Sequence, residues 1–222
     1  MRSIAESLVQ IAENEQRVYD AGFSKGHTLG SDEGFAVGKD IGAQNEQDRF
    51  WESYQGGTKQ RTNYSYGFAG TGWKDETYNP KYPITATSSA NYMFSYTGIT
   101  NTKVPIDLGT DRSQKVSVFD NATLLVTIPE LIIGPNIRIS NTMFTNCKEL
   151  KEISITGTIG YTASWEWCPL NGASIRSIVR ALSTTTSGYT VTFNKAAKEA
   201  AFTQAEWDEL IATKPNWTFA LV

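Results

Sequence analysis

The chain has 222 residues, with 20 Lys and Arg against 23 Asp and Glu, and its formal net charge is −3 at pH 7. A hydrophobic content of 40% suits a folded protein, and the lack of a basic block argues against nucleic-acid binding, which needs a positively charged surface. No run of about 18 apolar residues is present, so we expect no membrane insertion. The length suits one large domain, or a small domain with an extension.

The first segment, residues 1–55, is predicted to be a helical arm that anchors or assembles the protein. Apolar residues recur at helical spacing at Ile4, Leu8, Ile11 and Val18. Residues 1–52 contain five Lys and Arg against ten Asp and Glu, which predicts a solvated acidic arm. The start of the chain lacks the apolar stretch and cleavage site of a signal peptide.

A glycine stands at every fourth position of this arm, at Gly22, Gly26, Gly30, Gly34, Gly38 and Gly42. Each glycine inside a helix costs about 1 kcal/mol relative to alanine, so a helix here needs something packed on its glycine face. Small residues at this spacing allow another backbone to approach closely. The pattern therefore predicts a homo-oligomer, such as a trimer. The alternatives are a lone helix that packs its glycines on the same chain, and a flexible tether.

Aromatic residues crowd the next segment, residues 56–92, which is predicted to be an N-terminal cap. The end of a repeat array needs such a cap because its terminal unit otherwise exposes its core. The alternative is a sugar-binding platform, because aromatic faces and polar side chains suit the CH faces and hydroxyls of a glycan. Its members would be Trp73, Asp75, Tyr78 and Tyr82.

Residues 93–172 contain a repeat of about 25 residues. The phenylalanines Phe94, Phe119 and Phe144 are 25 residues apart, as are the pairs Leu125/Leu150 and Ile128/Ile153. Each unit has an apolar residue and Phe, a small polar turn and then an apolar run. A period of this length predicts stacked structural units. We expect the phenylalanines to form one column and the Leu and Ile residues another, as the core of a short solenoid.

These residues resemble a known family. Phe119-Asp-Asn-x-x-x-Leu125 and Phe144-Thr-Asn-Cys-x-x-Leu-x-x-Ile-x-Ile are similar to the unit of BspA-type leucine-rich repeats. The flanking stretches 61–73 and 102–106 resemble repeat proteins encoded in phages and prophages of gut Firmicutes. The resemblance covers about residues 45–222 and implies an α+β chain, a helical arm followed by a leucine-rich-repeat solenoid with capping elements. The turn cysteine of the family is present at Cys147, whereas Thr97 and Ala122 replace it in the other units.

The last segment, residues 173–222, is predicted to be an α/β cap over the final repeat. Helical spacing covers residues 173–182, and alternation predicts strands at residues 189–193 and 217–221. Thr203 and Glu206 form a capping box that opens a second helix, whose residues Trp207, Leu210 and Ile211 are expected to face inward.

Two tryptophans, Trp165 and Trp167, flank Glu166 and are a second candidate ligand contact. Alternation in a strand would place both on one face, so packing in the core is the alternative. The two cysteines, Cys147 and Cys168, are expected to be buried free thiols, with a disulfide between successive units as the alternative.

No pattern in the sequence indicates an enzyme. His27 is the only histidine and lies on the glycine arm, away from any nucleophile of the repeats. No Cys/His cluster suggests zinc, and no phosphate-binding glycine loop is present. The carboxylate pairs Asp75/Glu76 and Glu149/Glu152 are most simply solvated. We therefore predict no enzymatic activity, no cofactor and no metal.

The resemblance implies a non-enzymatic phage virion protein, as a tail fibre, baseplate or capsid-fibre component. Its expected partners are other copies of the chain, other virion proteins, and a glycan or protein of the host cell surface. Its expected location is the phage particle. The alternatives are a bacterial surface adhesin of the BspA type, on the cell surface, and a capsid decoration protein that has no host ligand.

Overall fold

The computed structural model describes residues 68–70, 73–76, 78, 80, 83–86, 90–109, 114–115, 117–134 and 137–222. The chain divides into two units, Met1–Gly57 and Thr58–Val222, and the described residues belong to the second. The predicted arm, with Gly22, Gly26, Gly30, Gly34, Gly38, Gly42 and His27, lies outside the described residues, and so does Tyr82.

Within the described residues, nine strands and three helices are present. The strands are β1 (Ile84–Thr85), β2 (Ile106–Asp107), β3 (Gln114–Lys115), β4 (Thr127–Ile133), β5 (Arg138–Ile139), β6 (Glu152–Gly157), β7 (Ala163–Trp165), β8 (Tyr189–Phe193) and β9 (Trp217–Leu221). The helices are α1 (Gly172–Ala181), α2 (Lys195–Ala201) and α3 (Gln204–Ala212).

The 25-residue spacing sets the register of a parallel sheet with the strand order β1-β2-β4-β6. Ile106 pairs with Leu131 in the next strand, and Ile128 pairs with Ile153. A second parallel pair joins β3 to β5. Equivalent residues of successive units therefore lie beside each other, and buried and exposed positions coincide from one strand to the next.

The interior is built on a ladder of aromatic rings, one from each unit. Phe94 and Phe119 stack with their ring centroids 5.3 Å apart, and Phe119 and Phe144 stack at 5.4 Å. Phe68 extends the ladder at one end, 4.8 Å from Phe94, and Trp165 extends it at the other, 5.6 Å from Phe144. The predicted second column, Leu125, Leu150, Ile128 and Ile153, is likewise buried. The core is continuous from one unit to the next.

The turn after each phenylalanine also repeats. Tyr96, Asn121 and Asn146 occupy equivalent positions and share a left-handed backbone with φ of 56°. Each phenylalanine amide donates a hydrogen bond across to the following unit, from Phe94 to Val118 O at 2.7 Å and from Phe119 to Met143 O at 3.0 Å. The turns are therefore held by backbone bonds between units, as the strands are.

Both cysteines lie buried beside this turn, and both are free thiols, as predicted. The Cys147 thiol donates to the carbonyl oxygen of Phe119 at 3.0 Å. Burial raises the pKa of the Cys168 thiol, and a hydrogen bond with Cys147 raises this pKa further. The two thiols therefore act as small packing residues with a weak donor.

A second parallel sheet, in the order β7-β8-β9, continues the stack with a longer repeat. Ala163 pairs with Val191 and Val191 with Phe219, 28 residues apart in each case. Phe193 lies 6.1 Å from Trp165 and adds a rung to the aromatic ladder. The sheet begins at β7, so it crosses the predicted boundary between the repeats at 93–172 and the cap at 173–222.

Helix α1 covers the free edge of β6. The Ile153 amide donates to Ser174 Oγ at 2.9 Å, and the Ile155 amide donates to Ser177 Oγ at 2.8 Å. Serine hydroxyls thus satisfy amides that an edge strand leaves unpaired. The helix predicted at residues 173–182 is confirmed within one residue at each end.

Helix α3 begins at the predicted capping box. Thr203 Oγ1 accepts from the Glu206 amide at 3.3 Å, and Glu206 Oε2 accepts from the Thr203 amide at 2.8 Å. Trp207 is buried, whereas Leu210 and Ile211 are half-buried. The inward face is therefore narrower than predicted.

Candidate binding site

The predicted N-terminal sugar platform is not a surface at Tyr78. This residue is fully buried, and its ring meets the rings of Phe68 at 5.6 Å and Phe94 at 5.9 Å edge to face. Burial raises the pKa of the Tyr78 hydroxyl far above its usual value. The prediction of a ligand contact at Tyr78 is therefore wrong, because the ring closes the first units of the aromatic ladder.

Asp75 and Trp73 hold the same end of the repeats together. The Asp75 carboxylate accepts from the Thr100 amide at 2.9 Å and from the Thr100 hydroxyl at 2.6 Å. Burial raises the pKa of Asp75, but these bonds and the charge of Lys103 outweigh it, so the pKa lies below its usual value. Trp73 is half-buried and meets Phe68 edge to face at 5.5 Å. These contacts join the segment to the first repeat.

The second predicted contact separates into two different environments. Trp165 is fully buried in the aromatic ladder, so a ligand cannot reach it and that prediction is wrong. Trp167 is 41% exposed, because β7 ends at Trp165 and the next two residues form a turn. Lys148 Nζ lies 5.9 Å from the centre of the Trp167 ring. The two tryptophans therefore do not share a face.

A cleft with a volume of about 450 Å³ opens elsewhere, where β5 and the turn after it meet the starts of two later units. It is lined by Arg138, Ile139, Ser140, Asn141, Thr142, Tyr161, Thr162 and Tyr189. Parallel stacking explains how it forms, because each unit places its first residues beside those of the preceding one.

A second, outer row of aromatic residues forms one wall of this cleft. Tyr161 and Tyr189 have ring centroids 5.5 Å apart, and Tyr189 lies 5.9 Å from Trp217. Trp217 is buried, whereas the two tyrosines are half-buried. The guanidinium carbon of Arg138 lies 4.7 Å from the Tyr161 ring centre and ends the row.

The sequence carries a signal for this row that our sequence analysis did not use. The pairs Tyr161-Thr162, Tyr189-Thr190 and Trp217-Thr218 recur every 28 residues. The threonines also connect, since the Thr190 amide donates to Thr162 Oγ1 at 3.2 Å. A search for a second period beside the 25-residue one would have placed these aromatic residues in one column.

The cleft combines a positive charge with hydroxyl groups. None of its lining residues is an acid, and no ion pair of Arg138 is found within the described part of the chain. Hydroxyls at the base form a small network, in which Thr142 Oγ1 lies 2.9 Å from Ser140 Oγ and 2.9 Å from Ser117 Oγ. The arrangement suits a polar ligand that has both a flat apolar face and a negative group.

Other kinds of site find no support in the residues that the structure covers. No group of three or more His, Cys, Asp or Glu side chains there is placed to hold a metal ion. None of the described helices has the length and apolar character needed to cross a membrane. Comparison with protein-family models, curated proteins and solved structures found no match to this chain.

Proposed function

We propose that the chain is a non-enzymatic virion protein of a phage, acting as a tail-fibre, baseplate or capsid-fibre component. In this proposal a leucine-rich-repeat solenoid presents a rigid surface to the host cell or to other virion proteins. The supporting observation is the aromatic ladder from Phe68 through Phe119 to Phe193, which runs without interruption through units paired in parallel. The assignment to a phage rests on the resemblance of the repeat sequence.

A rigid array suits adhesion because a preformed surface loses little conformational freedom when it binds. The backbone bonds between turns and the shared core fix each unit against its neighbours, so an exposed side chain keeps its position relative to the cleft. The glycine-patterned arm is proposed to assemble several copies, and a multivalent particle would strengthen weak individual contacts.

Binding of the purified full chain to cells tests this function. We expect fluorescently labelled protein to bind Gram-positive gut bacteria saturably, with competition from unlabelled protein. Heat-denatured protein is the control for non-specific adsorption. If cells retain no folded protein while purified phage capsids do, the decoration alternative replaces host adhesion.

A bacterial surface adhesin is distinguished by where the chain is found. Antibodies against the chain should label phage particles released by lysis. Label on intact bacterial cells in the absence of particles would favour the adhesin.

A further inference from the structure

We propose that the cleft at Arg138, Tyr161 and Tyr189 binds an acidic sugar, a pyranose that carries a carboxylate. This inference rests on the proposed function for the source of the ligand, a polysaccharide of the host surface. It adds the class of ligand and the residues that recognise it.

The shape and the wall of the cleft suit a sugar ring. Its volume of about 450 Å³ falls within the range of small-ligand sites, about 300–1,000 Å³. Tyr161 and Tyr189 are half-buried and their ring planes are tilted by 60°, so they form a bent apolar wall. The CH face of a pyranose packs against such rings, while tyrosine hydroxyls remain available for hydrogen bonds.

The charge in the cleft selects an acidic sugar over a neutral one. Arg138 is exposed and lies over the Tyr161 ring, which restricts the plane of its guanidinium group. Stacking uses the face of this group and leaves the N–H donors at its edge free. Those donors form a planar fork that matches a carboxylate with two parallel hydrogen bonds. A neutral sugar would leave this charge unused.

The rim supplies further polar partners for the ring hydroxyls. Asn141 and Thr142 are exposed at the cleft, and an amide and a hydroxyl can each donate and accept. Because the lining holds no acid, nothing in it opposes a carboxylate. A phosphorylated sugar shares this chemistry, so the experiment includes one.

Calorimetric titration of the full chain with three probes tests the proposal: methyl glucuronide, methyl glucoside and glucose 6-phosphate. We expect methyl glucuronide to bind at least about ten-fold more tightly than methyl glucoside, because only the acid forms the charge-assisted pair. The variant Arg138→Gln should lose this preference.

Arg176→Gln is the matched control, because the Arg176 guanidinium carbon also lies 4.7 Å from an aromatic ring, that of Phe202, but not at the cleft. This variant should keep the preference. Equal affinity for the acidic and neutral glycosides, or an unchanged preference in Arg138→Gln, would overturn the proposal. Tighter binding of glucose 6-phosphate than of methyl glucuronide would also overturn it, in favour of a phosphate site.

The two proposals fail separately. If the full chain binds methyl glucuronide in the Arg138-dependent way but binds no cells, the acidic-sugar site holds and host adhesion does not. If cells retain the protein and no probe binds, adhesion holds and the cleft is not its site.

Discussion

A tyrosine in the first repeat adopts a backbone conformation that suits its counterparts better. Tyr96 has φ of 56° and is 56% exposed. Asparagine takes this left-handed conformation at little cost, whereas a bulky residue is strained in it. Asn121 and Asn146 occupy the same position in the next units, and Asn146 Nδ2 donates to Asn121 Oδ1 at 2.9 Å.

We therefore expect Tyr96→Asn to raise the free energy of unfolding by about 1 kcal/mol, by relieving strain. Urea denaturation of the full chain measures the change. The variant Tyr96→Phe keeps the strain and should leave the stability unaltered. A loss of stability in Tyr96→Asn would mean that the exposed ring makes a contact worth more than the strain it causes.

The left-handed turn could be predicted from the sequence for two units out of three. The Asp-Asn and Thr-Asn pairs after Phe119 and Phe144 are typical of turns. Tyr96 carries no such signal, because its own preference is for extended backbone. Stacking on the next unit, through the bond from the Tyr96 amide to Asp120 O at 3.0 Å, imposes the conformation there.

At the level of elements, the end of β6 depends on a glycine. Gly157 has φ of 105°, and a Cβ added to it would lie 1.9 Å from the carbonyl oxygen of Ile133 in β4. The strands approach so closely there that no side chain fits.

Gly157→Ala should lower the free energy of unfolding by clearly more than about 1 kcal/mol, since it adds a collision with the backbone to an unfavourable φ. Thermal and urea denaturation both report the loss. Gly188→Ala is the control, because Gly188 also has a positive φ, 78°, but open space around its Cβ position. Similar losses in the two variants would show that the contact with β4 contributes nothing.

The long strands could be predicted from the repeat, and the short ones could not. Ile128 and Ile153 are spaced by one period and pair in β4 and β6. Strands β1, β2, β3 and β5 have two residues each, too few for periodicity to show. The cleft was missed for a related reason. It joins Arg138 to Tyr161 and Tyr189, whose proximity depends on a second period that helices α1 and α2 interrupt.

Across the described part of the molecule, stability is shared through the aromatic ladder. Phe119 lies between two stacked rings, those of Phe94 and Phe144, and is fully buried. In repeat proteins each unit is stabilised mainly by its neighbours. A gap at this position would weaken two interfaces at once.

Phe119→Ala should therefore cost about 3–5 kcal/mol, the range for large-to-small changes in a core. The free energy of unfolding from urea denaturation gives the value. Leu124→Ala in the same unit is the control, since Leu124 is 53% exposed and should change little. A cost of less than about 1 kcal/mol for Phe119→Ala would contradict a core that relies on stacked rings.

The serine-lined helix over the edge of β6 has a consequence for how such chains can evolve. Because α1 closes the sheet with side-chain hydroxyls, through Ser174 and Ser177, it requires only a strand edge with free amides. A duplicated 25-residue unit inserted ahead of β6 would present the same edge to the same helix. The array could then lengthen by about 4.8 Å per added unit and keep both its terminal closure and its sugar cleft.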